Sequence, residues 1–183
     1  VLPFFLFSAL FGQFADKYEK SRQIRWVKLL EVVIMLLATL GFFLENLPML
    51  LVVLFLLGLQ STIFGPIKYG ILPQILEPTE LVGGNALIET GTFVAILLGT
   101  IAGPLLAAID VSWPYWVSAA CLAVALAGYL YSLRIPGAAA VAPDIRINWN
   151  LYTETIRNLR FINENKTVLN SVLGISWFWF FGT

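Results

Sequence analysis

The chain has 183 residues, of which 59% are hydrophobic and 12% charged, and its formal net charge is zero. A soluble domain carries about 25% charged residues, so a water-exposed globule is excluded, and with no excess of bases no nucleic-acid partner is expected. It holds no histidine and one cysteine, Cys121, which removes histidine acid–base chemistry, Ser-His-Asp triads and Cys- or His-rich metal centres; neither enzymatic activity nor a cofactor is expected.

Apolar runs of about 20 residues recur, long enough to cross a hydrocarbon core of roughly 30 Å. Residues 1–14 read as a truncated span. They are not a signal peptide, because no basic region precedes them and no small-residue cleavage site follows. Further spans are expected at about 26–44, 47–67, 86–109 and 113–133, with another truncated one from about 168. Residues 15–25 and 134–167 are polar connections, and residues 73–85, with Glu77, Pro78, Thr79, Glu80, Gly83 and Gly84, form a third. Leu47–Pro48 and Asp110–Ser112 mark short turns at the opposite ends.

Lys17, Lys20, Arg22, Arg25 and Lys28 cluster around the first connection, and Arg134, Arg146, Arg157, Arg160 and Lys166 around the last. These connections lie an even number of crossings apart, so they share a side. The positive-inside rule makes it cytoplasmic, together with residues 73–85. The other side shows only Glu45, Asn46 and Asp110. Trp113, Tyr115 and Trp116 there, and Trp26 at the inner side, are expected as interfacial anchors.

Within 134–167, the stretch from Pro136 to Pro143 is small, Ala-rich and read as a linker. Trp149, Tyr152, Ile156 and Leu159 follow at spacings of three and four beside Arg157 and Arg160, which predicts a short amphipathic helix on the inner leaflet. Asn165-Lys166-Thr167 matches a glycosylation sequon by pattern, which a cytoplasmic location makes irrelevant.

The polar residues inside the spans are Glu31, Gln60, Lys68, Glu89 and some hydroxyls. A charge in the hydrocarbon costs something like 2.5–3.5 kcal/mol on insertion scales, so each should face a partner or a wet cavity. Glu31 is three residues from Lys28, and an interfacial ion pair is expected. Lys68 lies between Gly65-Pro66 and Gly70 and Pro73, in a segment where regular helix is disfavoured. Glu89 enters the next span from the same side. Three arrangements are open for Lys68: an ion pair with Glu89, a cation site for an anionic headgroup that Glu89 tunes, or snorkelling. Lys68, Glu89 and Gln60 are the candidate substrate-binding residues. Gly91, Ala95, Gly99, Gly103 and Ala107 recur every fourth residue, a stripe expected to let helices pack closely, with Pro104 bending the span.

Residues 12–22 read Gly-Gln-Phe-Ala-Asp-Lys-Tyr-Glu-Lys-Ser-Arg. This resembles the signature loop between the second and third helices of the major facilitator superfamily, with Gly12, Asp16, Lys17 and Lys20 matching and Arg22 beside them. Glu19 and Ser21 depart from its usual glycine and base. Gly99-x-x-x-Gly103-Pro104 resembles that family's fifth-helix motif, although Ala107 and Ala108 stand where glycines are usual. The resemblance implies an all-α polytopic bundle: residues 1–133 as helices two to six, 134–167 as the central cytoplasmic loop, and 168–183 as the start of helix seven. It also implies that Asp16 latches the inner gate against a base or helix N-terminus of the other half.

Gly65-Pro66-x-Lys68-Tyr69-Gly70-x-Leu72-Pro73-Gln74 and the following Glu77–Asn85 look like the bacterial lysophospholipid transporters within that superfamily. This implies an inner-membrane location, membrane lipid and a lysophosphatidylethanolamine-like lysophospholipid as partners, and acyltransferase or acyl-activating domains as possible fused partners. Two rivals stand beside it: another facilitator such as a drug/proton antiporter, with Glu89 as the titrating acid, and a membrane module that positions a fused acyltransferase.

Overall fold

The computed structural model describes residues 2–109 and 112–182. All regular structure among the described residues is helical: α1 (Leu2–Lys17), α2 (Lys20–Phe43), α3 (Leu47–Gly70), α4 (Leu72–Ile75), α5 (Leu81–Ile109), α6 (Trp113–Ser132), α7 (Leu151–Glu164) and α8 (Lys166–Gly182). Four stretches are long and apolar enough to cross a membrane: Lys20–Phe43, Leu47–Ile75, Leu81–Ala108 and Trp113–Ser132. Leu36, Leu51, Leu54, Leu97 and Leu98 are more than half exposed on them. In water such a surface would aggregate, whereas lipid tails solvate it.

The chain divides into two compact units, residues 1–145 and 146–183. In the first, α2 packs against α3 and α6, α1 packs against α3, and α5 touches α6 and α4. Hydroxyls on these helices turn back to the preceding turn: Thr39 donates to the Met35 carbonyl at 2.9 Å, Thr62 to Gly58 at 2.7 Å and Thr90 to Ala86 at 2.8 Å. Each polar group is thereby satisfied within its own helix, as a hydrocarbon setting requires.

The helices run further than the hydropathy of the chain suggests, and the connections shrink. The first connection is reduced to Tyr18 and Glu19, so Gly12 and Asp16 lie on α1, one turn apart. The α2–α3 turn is Leu44–Asn46, just before the expected Leu47–Pro48. Glu45 adopts a left-handed φ of 49°, and the Asn46 side chain caps α3 by accepting from Met49 N at 3.0 Å. Pro48 then sits in the first turn, where no N–H donor is needed. Pro66 does not interrupt α3, which continues to Gly70, and Pro73 falls in the first turn of α4. α5 starts at Leu81 rather than near 86. Asp110, expected in the α5–α6 turn, lies outside the described residues.

Near the α2–α3 turn, Gly41 is buried against α3. A Cβ there would lie 2.8 Å from Leu50 Cδ2 and 3.3 Å from Leu50 Cγ. Gly41→Ala is expected to cost about 1–3 kcal/mol by overpacking, read as a lowered Tm in detergent. Gly83→Ala, with open space around it, is expected to leave the Tm unchanged or raised.

Residues 134–145 are not a loose linker. Ala138 is 3% exposed and joins Ala15, Ile24, Val27, Ile67 and Ile71 in one apolar cluster, with Ile135 packed on it. The Ala138 carbonyl accepts from Lys20 N at 3.1 Å, the Ile135 carbonyl from Arg25 at 3.1 Å, and the Ala139 carbonyl from Gln74 Nε2 at 3.1 Å. An Ala- and Pro-rich segment has few side chains to order, so fixing it costs little side-chain entropy. Its backbone acceptors do the fastening, and it forms a strap over the basic ends of α1, α2 and α3.

The second unit contains the expected amphipathic helix as α7, with Trp149 just before it. Asn150 caps α7 by accepting from Thr153 N at 3.2 Å, and Glu154 pairs with Arg157 one turn on. Asn165, the first residue of the sequon, caps α8: its side chain accepts from Thr167 N at 3.0 Å.

Candidate functional site

A cavity of about 700 Å³ opens between α2, α3 and α5. Its polar lining comes from Lys28 and Glu31 of α2, Gln60, Ser61 and Lys68 of α3, and Thr92 of α5, with Phe64 among them. Two polar networks occupy it.

In the first, the Lys28 ammonium donates to Glu31 Oε2 at 2.8 Å, the expected pair at i,i+3. Gln60 Nε2 donates to the same oxygen at 3.1 Å from the neighbouring helix. Gln60 is only 6% exposed, so this bond satisfies an amide that would otherwise be costly to bury. The Lys28 ammonium also lies 5.1 Å from the centre of the Phe64 ring. The pair is therefore cross-linked to α3 rather than lying free at an interface.

In the second network, Lys68 Nζ donates to Thr92 Oγ1 at 3.2 Å. Thr92 in turn donates its single hydroxyl proton to the Ile88 carbonyl at 2.8 Å, which leaves its lone pairs for the ammonium. Side chains on a helix lean toward its N-terminus, and for α3 that end lies away from the basic connections. Lys68 accordingly reaches across to Thr92 of α5. Its other close neighbour is the Tyr69 ring, 4.8 Å from the ammonium to the centroid.

The expected Lys68–Glu89 ion pair is absent. Glu89 instead accepts a hydrogen bond from the Tyr69 hydroxyl. Neighbouring positions on α3 point about 100° apart, so Tyr69 meets Glu89 while Lys68 turns into the cavity. Of the three candidate binding residues, Gln60 and Lys68 line the cavity and Glu89 does not. Lys28 is matched by Glu31, Glu89 accepts a neutral hydroxyl from Tyr69, and the Lys68 ammonium has only neutral partners among the described residues.

The signature residues do not lie together on a solvated loop. Asp16 is exposed at the last turn of α1, and Arg22 is exposed on the first turn of α2. Lys17 donates to the Ile145 carbonyl at 3.0 Å. Lys20 is 1% exposed, its side chain lying against Gly70 at the end of α3. That places its ammonium at the negative end of a helix dipole. Gly12 has open space where a Cβ would be.

The small-residue stripe also differs from expectation. No atom lies within 4 Å of a Cβ built at Gly91, Gly99 or Gly103, so among the described residues no helix packs into it. Instead Ala95, Gly99 and Gly103 line an apolar cavity of about 490 Å³ that also touches Glu31 and α6, and Pro104 stays within α5. Trp113 and Tyr115 pack edge-on against Phe42 and Phe43, with ring centres 5.5 and 4.8 Å apart, while Trp116 stays exposed.

Thr92, Gln23 and Ala138 were not singled out by sequence. Thr92 offers a faint signal as a hydroxyl three residues from Glu89. Gln23 is an uncharged amide within a basic segment. Ala138 offers no signal, because an alanine in an Ala-rich run looks like its neighbours.

The family model for the Major Facilitator Superfamily matches residues 1–183. The chain is 32% identical over 180 residues to the lysophospholipid transporter LplT of Escherichia coli O7:K1 (strain IAI39 / ExPEC), and equally to LplT of the Escherichia coli strain K12 / DH10B. Each alignment covers 96% of this chain and 42% of the relative, so the chain spans about two-fifths of the length of these transporters. No solved structure matches it.

Proposed function

This chain belongs to the major facilitator superfamily, and on that premise we propose that it is part of a transporter that moves a lysophospholipid, of the lysophosphatidylethanolamine type, between leaflets of the bacterial inner membrane. The basic ends of the helices face the cytoplasm, and alternating access rocks this half against the other around the α2–α3–α5 cavity. The Lys68 ammonium, with Thr92 beside it, holds the lipid phosphate. Asp16 latches the cytoplasmic gate against a base or a helix N-terminus of the other half. An acyltransferase, fused or separate, consumes the lipid that is delivered.

One observation carries this reading. Among the described residues, Lys68 is the charged group lining the cavity that has no charged partner, whereas Lys28 and Glu31 neutralise each other at 2.8 Å. An unmatched cation in a membrane is expensive, and an anionic headgroup entering the cavity supplies the missing charge. The drug/proton antiporter alternative gains nothing from the geometry, because its candidate acid Glu89 lies off the cavity lining and is held by Tyr69.

The test is the initial rate of lysophosphatidylethanolamine transport by the full-length protein in vesicles. A hydrogen bond to a charged group contributes about 1.5–3 kcal/mol, so Lys68→Ala is expected to lower the rate by about tenfold or more, while Lys68→Arg keeps most of it. Wild-type transport by Lys68→Ala at matched expression rules out the headgroup role.

A further inference from the structure

The exposed carboxylate of Asp16 sits on an unusually well-fastened stretch of backbone. A helix ends with carbonyls that have no partner of their own, and the last turn of α1 meets this need without a capping glycine. Gln23, on the first turn of α2, reaches back with one amide nitrogen to the carbonyls there: Phe14 at 3.1 Å, which also accepts from Tyr18 N at 3.2 Å, Ala15 at 3.4 Å, and Tyr18 just past the helix at 2.9 Å. The Asp16 carbonyl is taken by the strap, accepting from Ala142 N at 2.9 Å. Next to it, Lys17 reaches over to the Ile145 carbonyl at 3.0 Å. Ala138, 3% exposed, seats the strap in the apolar cluster below.

These contacts share one consequence. The carbonyls around Asp16 are occupied from two directions, while its carboxylate is exposed and makes no hydrogen bond or ion pair among the described residues. We propose that Gln23 and the strap residues Ala138 and Ala142 are positioning elements for Asp16: they fix the backbone at the end of α1, so that the carboxylate is presented from a position already set to the partner it meets when the gate closes. A group held in its bound geometry beforehand forms its contact without the entropy cost of ordering. The strap stays closed while the gate opens and shuts, because it fastens elements of a single half. This inference rests on the latch reading of Asp16 given above.

The test is a double-mutant cycle read as the initial rate of lysophosphatidylethanolamine transport by the full-length protein in vesicles. Ala142→Pro removes the donor to the Asp16 carbonyl, and Gln23→Leu removes the cap at similar size. Residues that act as a unit are non-additive, so each variant is expected to lose roughly threefold to tenfold in wild-type background and under about twofold in an Asp16→Asn background. If both lose the same factor in either background, or neither loses activity where Asp16→Asn does, the positioning role is wrong and the latch stands. If Asp16→Asn itself transports normally, the latch reading fails, and the positioning role with it.

A second measurement does not depend on tolerance of those substitutions. A Cβ at Gly137 would lie 3.5 Å from Glu19 Oε1, so the strap is within reach of a full-length side chain from Glu19, and a short bis-methanethiosulfonate reagent can bridge Glu19→Cys and Gly137→Cys in a Cys121→Ser background. The bridged protein is expected to transport at the rate of the unbridged one. Transport abolished by bridging and restored by reductant shows that the strap must open, and overturns the inference.

Discussion

Glu31→Leu is expected to destabilise the protein by about 3 kcal/mol, read as a lowered midpoint of unfolding in detergent. The carboxylate is the hub of the network between α2 and α3. Its Oε2 holds the Lys28 ammonium at 2.8 Å and the Gln60 amide at 3.1 Å. Removing it leaves an ammonium and a buried amide without partners, and an uncompensated buried charge costs about 3–5 kcal/mol. The low end applies because Lys28 and Glu31 are 22% and 21% exposed and line an open cavity. The double replacement Lys28→Met with Glu31→Leu is expected to recover most of the loss, since an apolar pair of similar size leaves no charge behind. If the single and double variants are equally unstable, shape rather than charge holds this part of α2.

Ala138→Lys is expected to release the strap. The new ammonium would enter a cluster of Ala15, Ile24, Val27, Ile67 and Ile71, with the buried Lys20 side chain nearby and no carboxylate in that cluster. Burying such a charge costs several kcal/mol, more than a segment held by a few hydrogen bonds of about 1 kcal/mol each withstands. Hydrogen exchange reads the result. The amides of Lys20 and Ala142, which donate to the Ala138 and Asp16 carbonyls, are expected to lose their protection, and residues 134–145 to become sensitive to protease. Ala139→Lys, one residue along and exposed, is expected to change neither. Protection that survives Ala138→Lys means that the strap is held elsewhere.

Much of the helix pattern is legible in the residues because it is local. Runs of apolar residues set the spans, and the i,i+3 spacing of Lys28 and Glu31 predicts their pair. The boundaries are less legible, because hydropathy marks where lipid solvates a helix, not where its hydrogen bonds end. α2 begins at Lys20, six residues before its apolar run, since Lys20 is buried against Gly70 and Gln23 caps the preceding helix. The strap was hidden for a similar reason. Its fastening uses backbone carbonyls of Ile135, Ala138 and Ala139, and a backbone acceptor leaves no mark on residue type.

The candidate site divides along the same line. Sequence alone determined that Lys68 is a charge isolated in an apolar run, and that such a charge demands a partner. It also pointed to the superfamily, through Gly12, Asp16 and the motif from Gly99 to Pro104. Only the tertiary structure decided which partner each group takes: Thr92 for Lys68, Tyr69 for Glu89, and Gln60 beside Lys28 on the same oxygen of Glu31. The reason is geometric. One residue's step along α3 turns a side chain by about 100°, so Lys68 and Tyr69 face different neighbours, and which helix stands at each azimuth is settled by packing between segments distant in the chain.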